Sequence, residues 1–380
     1  MKTLGIIVGT DDEPISKKDC LKKYECLKNI LDTLGYIPYD YAIYAEAKSY
    51  EKKYNVHIIP LDGRNLKLND CNKCDTIFSI YEGTISFMNG GIKSFNNYIN
   101  TLSKTTAKVY PSLNMQKFIL YKKLYMKYLD KKGYDIINTK YISMNSYKNN
   151  KVKELDLIQK FIFNNDYKKI IFKPELSGFK KGVKIYKSPN MKSIAKYLDK
   201  INETTDYKNL LLQPFLQNFN KYWEIKTYWI LGKHIFSYGQ KFNKNDKGVF
   251  TKPVSQGGKL DDNKIKPCIK IGKKIIKDLF NDKEILVQCR IDFGCCVEND
   301  INRYFINEIE ISPTLNDGDS QKPYFNKLAE AIVKHLSNSK KSKRTNSKRS
   351  KRSKRSKRSK RSKRSKRTNS KRSKRTKRNN

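Results

Sequence analysis

The stretch RIDFGCCVENDINRYFINEIEISP, Arg290 to Pro313, holds three carboxylates at a spacing suited to a metal ion. As two strands around a turn near Asp300, it puts Asp292 on one arm and Glu308 and Glu310 on the other. Strand side chains alternate faces with a period of two, so Glu308 and Glu310 share one face, and Ile309 and Ile311 the other. Asp292 then lies across the ladder from Glu308. Like charges in that relation are destabilising unless a cation stands between them. Hard oxygen ligands suit Mg2+, which takes one or two carboxylates together with substrate phosphates. Arg290, two residues before Asp292 and on the same face, is placed to grip a phosphate with two parallel hydrogen bonds. The residues equally describe a solvated face whose acids pair with nearby lysines.

A second stretch, KPELSGFKKGV, offers Ser177, Gly178, Gly182 and three lysines between two short strands. Glycines let backbone N–H groups approach phosphate oxygens, and lysines neutralise them. It is not a Walker A loop, which needs GxxxxGK[ST] opening a helix. A surface hairpin in a lysine-rich protein fits it as well. The cysteines carry less. CNKC pairs Cys71 with Cys74, but no second CxxC or His pair supplies the four ligands of a structural zinc. His234 sits in an apolar strand and is expected to be a packed residue rather than a base.

The elements that must position these groups follow from periodicity. Leu4–Val8, VHIIPLD and DTIFSIYEG read as buried strands, and Lys17–Leu34 as a helix stopped by Gly35. That alternation predicts a small α/β domain with a parallel sheet over 1–105. Further helices are predicted over Pro111–Leu129, Met191–Leu198, Ile269–Phe280 and Tyr324–Leu336. Strands are predicted over Ile170–Lys173, Gly182–Tyr186, NLLLQPFL and either side of LGK in YWEIKTYWILGKHIFSYGQKF. The stretch with Gly257 and Gly258 reads as a long mobile loop.

The order of these parts resembles the ATP-grasp superfamily over residues 1–336. RIDF…NEIE and FKPELSGFKKGV are the most specific pieces. The likeness is to D-alanine–D-alanine ligase-like and amino-acid-adding ligases, with inositol phosphate kinase-like members as the runner-up. It implies an N-terminal α/β domain (1–105) and two α+β subdomains (106–212 and 213–337) that grasp ATP. It implies that Lys117, ahead of a helix, and Lys173 bind phosphates under a flexible loop from Ser177 through Gly178 to Gly182. Gln213 and the backbone through Leu216 would meet adenine, and Glu224 the ribose. Lys226 stands where related enzymes often have Arg. Asp292, Glu308 and Glu310 would hold magnesium, or manganese in its place, and Arg290 would face the reacting phosphate. Glu310 departs from the pattern, since many members have Asn there; the extra charge should strengthen metal binding and repel the triphosphate more. SPTLND also lacks the glycine that often follows the proline.

The implied chemistry is an ATP- and Mg2+-dependent ligase that forms a C–N bond through an acyl phosphate. A kinase acting on an anionic acceptor such as an inositol phosphate is the alternative. An inactive scaffold with a working tail is the third reading, set against the retained lysines and carboxylates. The acceptor, a small molecule or a peptide, has no motif of its own.

Composition bounds the rest. The 380 residues carry a formal charge of +44. From Lys340 onward the chain is almost only Ser, Lys, Arg, Thr and Asn. That segment holds 24 of the 81 Lys and Arg and no acid, leaving the remainder at +20 against 37 acids. The tail over 338–380 is expected to be disordered, because it cannot bury a core. It is expected to bind nucleic acid or another polyanion by counterion release. No apolar run approaches the ~20 residues of a membrane span, and MKTLGIIVGT is too soon followed by acids to be a signal peptide. Reduced thiols and an intracellular, cytoplasmic location are expected, with nuclear or virion association through the tail.

Overall fold

The computed structural model describes residues 1–9, 14–15, 27–81, 83–176, 181–216, 224–244, 250–256, 262–280, 286–298, 301–311 and 322–337. The expected tail (338–380), the front of the Lys17–Leu34 helix (16–26) and the Gly257–Gly258 loop lie outside them. Met1–Val333 form one compact unit, and Lys334–Asn380 a second. No helix among the described residues is long and apolar enough to cross a membrane.

Three sheets organise the first unit. β1 (Lys2–Val8) is followed by β2 (Pro14–Ile15) and β3 (Ile37–Pro38), which pair with each other. β4 (Val56–Asp62), β5 (Thr76–Ser79) and β6 (Lys108–Tyr110) join β1 in a parallel sheet of order β4-β1-β5-β6. The apolar run Leu4–Val8 is fully buried, as expected of a strand covered on both sides. Gly35, at φ 73, ends the helix Lys28–Leu34 as predicted.

The second sheet is antiparallel: β7 (Lys140–Ser143), β8 (Ile170–Pro174), β9 (Lys184–Tyr186) and β10 (Asn209–Pro214), in the order β7-β10-β8-β9. β10 runs two residues past the boundary expected after 212. Ile170, Phe172, Leu210 and Leu212 turn one face of this sheet into a core with Ile194 and Leu198. Lys173 pairs with Leu211, and Gln213 with Ile171, so Lys173 and Gln213 share the other face.

The third sheet carries β11 (Glu224–Ile230), β12 (Lys233–Lys244), β13 (Phe250–Gln256), β14 (Gln288–Glu298) and β15 (Ile301–Glu310), in the order β13-β12-β11-β14-β15. Leu231 and Gly232, both at positive φ, make the two-residue turn between β11 and β12. One face holds Ile225, Trp229, Cys289, Ile291, Phe293 and Ile309, and packs against Cys268 and Ile275 of helix Asp262–Leu279. That helix begins seven residues before the predicted start at Ile269. It accommodates Pro267, which sequence reasoning treats as a boundary because proline removes a helical hydrogen bond.

Gly272 lets this helix lie close on the sheet: a Cβ there would stand 2.5 Å from Cζ2 of Trp229. Gly272→Ala is expected to lower stability by about 1–3 kcal/mol through overpacking, despite alanine's better helix propensity. Urea denaturation checks this, and a raised midpoint would contradict the close contact.

The single helix predicted over Pro111–Leu129 is two helices, Leu113–Leu120 and Lys122–Lys131, broken at Tyr121 (φ −82, ψ 85). Both cores draw on this segment, and already within the first helix Met115 and Ile119 join the core of the third sheet. Leu120 and Tyr121 pack with Phe95 under the first and second sheets, while Tyr125, Met126 and Leu129 join the core of the third.

Candidate active site

The ladder register gathers charged residues on the other face of the third sheet. Lys226 pairs with Asp292, Asp292 with Glu308, and Arg290 with both Tyr228 and Glu310. The expected opposition of Asp292 and Glu308 is therefore present. Carboxylate oxygens of Asp292, Glu308 and Glu310 lie within 4.8 Å of one another, the one such ligand group among the described residues.

Each acid has a cation. Lys226 donates to Asp292 Oδ2 at 2.6 Å and lies 3.3 Å from Glu224 Oε2. Arg290 donates to both oxygens of Asp292 at 2.7 and 2.9 Å, and to Glu310 Oε1 at 2.6 Å. Lys122 reaches Glu308 Oε1 at 2.7 Å. Asp292, Arg290, Lys226 and Glu224 are all buried. Buried charges persist only when paired in this way. The magnesium reading and the lysine-paired reading of the sequence thus describe the same residues: lysine and arginine hold the acids that are arranged as metal ligands.

Burial and charge set the protonation of the two glutamates. Burial pushes Glu310 up to about 8, with Glu308 and Asp292 adding to the rise and Arg290 opposing it. Burial also pushes Glu308 up, but Lys122, with Arg290 and Lys226, holds it down to about 2. The Lys173 ammonium is depressed by burial and then by the like charge of Lys122. A half-buried ammonium with a like-charged neighbour is disposed to take an anion.

Of the other expected residues, Gln213 is buried and donates to Thr139 Oγ1 at 2.9 Å, while its own Oε1 has no hydrogen-bond partner. An orphaned buried acceptor on the Lys173 face can receive a hydrogen bond from a ligand. Leu216 follows on the same segment, half-buried. Gly182 has φ 75, and a Cβ there would meet Pro174 Cγ at 2.7 Å, so glycine is needed on steric grounds alone. Ser177 and Gly178 lie outside the described residues. Lys117 lies exposed in the last turn of Leu113–Leu120, ahead of the helix Lys122–Lys131. His234 shares a 2.8 Å hydrogen bond with Ser237 Oγ and packs edge-on to Trp229. Burial pushes its pKa down. Cys71 and Cys74 are buried, and burial raises their thiols to about 11 and about 12.

Sequence reasoning missed three residues. Asn307 donates to Glu224 Oε1 at 2.7 Å, because a bulge between Asp292 and Phe293 breaks strict alternation on β15. Lys122 enters through the helix break at Tyr121. Tyr125 is fully buried and lies within the field of Glu308, Glu310 and Asp292, which together with burial pushes its hydroxyl pKa up.

An antiparallel sheet bearing Lys173 and Gln213, and a second with an acid-lined face, joined to an N-terminal parallel sheet, make up the ATP-grasp fold. The chain has that fold. Its backbone is similar to D-cycloserine synthetase DcsG, with TM-score 0.61 and 12% identity over 88% of this chain and 99% of that one. It is similar to D-alanine–D-alanine ligase from Bacillus anthracis, with TM-score 0.56 and 14% identity over 90% of this chain and 100% of that one. The latter has also been solved complexed with ATP. A third likeness is to the ATP-grasp ligase PsnB complexed with a minimal precursor, with TM-score 0.50 and 11% identity over 88% of this chain and 99% of that one. No protein-family model and no curated protein matches the sequence.

Proposed function

We propose that the chain is an ATP- and Mg2+-dependent ligase joining a carboxylate to an amine, with the nucleotide held between the subdomains 106–212 and 213–337. The observation that carries this reading is the acid triad Asp292, Glu308 and Glu310 on one sheet face with Arg290 and Lys226 among its members. The solved proteins of similar fold are ligases and synthetases, which supports the reaction class. The donor set fits magnesium: three carboxylates, each oxygen-only, close enough to ligate one ion or bridge two. When bound, magnesium would neutralise the β- and γ-phosphates and draw charge from the transferring group.

The remaining work belongs to the chain's own residues. Lys173 would hold phosphate oxygens, and Arg290 and Lys226 would meet the charge developing on the γ-phosphoryl group. Gln213 would fix adenine through its unpaired Oε1, and Glu224, oriented by Asn307, would accept from the ribose. An acceptor carboxylate oxygen forms a bond to the γ-phosphorus as the bond to the β-bridging oxygen breaks, releasing ADP. The amine nitrogen then attacks the acyl carbon, inorganic phosphate leaves, and the amine loses a proton to solvent or phosphate. Holding the reactants together supplies much of the rate, and no catalytic His or Cys is required.

The test is ADP release by the full-length chain with amino acids, peptides and inositol phosphates as acceptors. Release that needs both a carboxylate and an amine, and leaves an amide product, supports the ligase. Release with an inositol phosphate alone, giving a phosphorylated product, assigns a kinase instead. The tail 338–380 is proposed to hold nucleic acid through its cations. Removing it should abolish retention on single-stranded DNA at low salt, and in the full chain affinity should fall about a thousandfold or more between 50 and 200 mM salt. Salt-independent binding would rule that role out.

A further inference from the structure

Four acids, Glu224, Asp292, Glu308 and Glu310, share the site with four cations, Lys122, Lys173, Lys226 and Arg290. The acids and cations are equal in number, and the proton that Glu310 keeps below about pH 8 leaves the site no spare negative charge. A divalent cation entering the triad therefore adds charge that the site must shed or screen. A nucleoside triphosphate brings the matching negative charge. The pairs in the metal-free protein must then change partners when both arrive.

The cations differ in their freedom to do so. Lys226 and Arg290 project from paired strands, are buried, and make several short contacts to Asp292, Glu224 and Glu310. Lys122 comes from a helix terminus, just after the break at Tyr121, and its side chain keeps 22% exposure. Its partner Glu308 keeps 28%. Lys122 pairs with Glu308 at 2.7 Å and is also the like charge that acts on Lys173. Its flexible four-carbon stem and three donors suit an exchange of partner.

We propose that Lys122 is a placeholder cation, which neutralises Glu308 in the metal-free protein and passes to the nucleotide's phosphates when a divalent ion takes Glu308. This rests on the nucleotide reading above. It makes Lys122 a positioning residue with opposite effects on its two ligands. Metal alone competes with Lys122 for Glu308, whereas the nucleotide recruits it.

The experiment measures Mn2+ binding to the full-length protein without nucleotide, by electron paramagnetic resonance, and Mg2+-ATP binding by calorimetry, for the wild type and Lys122→Met. The expected result is Mn2+ bound about fivefold more tightly by Lys122→Met and Mg2+-ATP bound about tenfold more weakly, each a shift of the size of one part-exposed ion pair. Both affinities moving the same way, or neither moving, overturns the proposal. Amine acylation of Lys122 in the unmodified protein, read by mass spectrometry, decides the matter should the variant not fold. Labelling is expected to rise with Mn2+ alone and fall when Mg2+ and ATP are added together. Labelling unchanged by saturating Mn2+ overturns the proposal. Wild-type protein that binds Mn2+ but no ATP defeats the nucleotide reading itself, whereas normal ATP binding by Lys122→Met defeats the placeholder alone.

Discussion

Asp292→Asn is expected to weaken binding of ATP with magnesium by about a hundredfold or more, and to abolish turnover. Asp292 is buried and accepts hydrogen bonds from Lys226 and from two nitrogens of Arg290. It is also the triad member that faces Glu308 across the ladder. The amide keeps the shape and removes the charge, so two buried cations lose their main counter-charge and the metal loses a ligand. The metal-free protein should therefore also lose about 3 kcal/mol of stability, the usual cost of leaving a buried ion pair half-made. Calorimetry and urea denaturation read the two effects separately. Because the basic tail can itself attract ATP, the informative quantity is the part of binding that needs magnesium. Unchanged magnesium-dependent binding in Asp292→Asn would remove Asp292 from the metal site.

The second large effect concerns pH. Glu310 is held up at about 8, against an ordinary value of 4.5, mainly by burial. Metal binding must displace that proton. Affinity for Mn2+ should accordingly rise about tenfold per pH unit up to about pH 8 and then level off. The sign for stability is opposite. Between pH 4.5 and about 8 the folded protein keeps a proton on Glu310 that the unfolded chain has released. The contribution of Glu310 to metal-free stability is therefore full below 4.5 and is lost as pH rises through 8. Glu310→Gln should flatten both dependences, because a neutral oxygen ligand has no proton to lose. Mn2+ titrations and thermal melts at pH 6, 7, 8 and 9 check the two slopes. A wild-type affinity that does not vary over this range would show that Glu310 enters the site already ionised. An asparagine, which the resemblance to ATP-grasp proteins places at the matching position in many of them, would give the flat behaviour.

Much of the site was legible in the sequence because strand periodicity is strict. The opposition of Asp292 and Glu308, and the shared face of Arg290, follow from counting residues either side of a turn. What periodicity missed lies where it breaks. The bulge opposite Asp292 and Phe293 turns Asn307 toward Glu224, and no residue type announces it. The apolar spacing of Pro111–Leu129 runs on through Tyr121, so the helix break that delivers Lys122 is silent in the pattern. The helix start expected at Ile269 falls seven residues late, since the helix runs from Asp262 through Pro267. Lys117 rests on the family resemblance alone, and it is exposed in the turn before the break that leads into Lys122–Lys131. The acceptor was never legible. Its specificity depends on groups gathered from separate loops, for which no local spacing exists.

The central claim is that Asp292, Glu308 and Glu310 hold a metal ion bound to a nucleotide's phosphates. Its most direct test is a crystal structure of the chain with Mn2+ and a non-hydrolysable ATP analogue, located by the anomalous signal of manganese. The expected result is manganese within ligand distance of oxygens from all three carboxylates, also bonded to the phosphates, with Lys173 on the phosphate chain and adenine against Gln213. Nucleotide bound elsewhere, or manganese bound away from the triad with Lys226 and Arg290 still clasping Asp292, would contradict it.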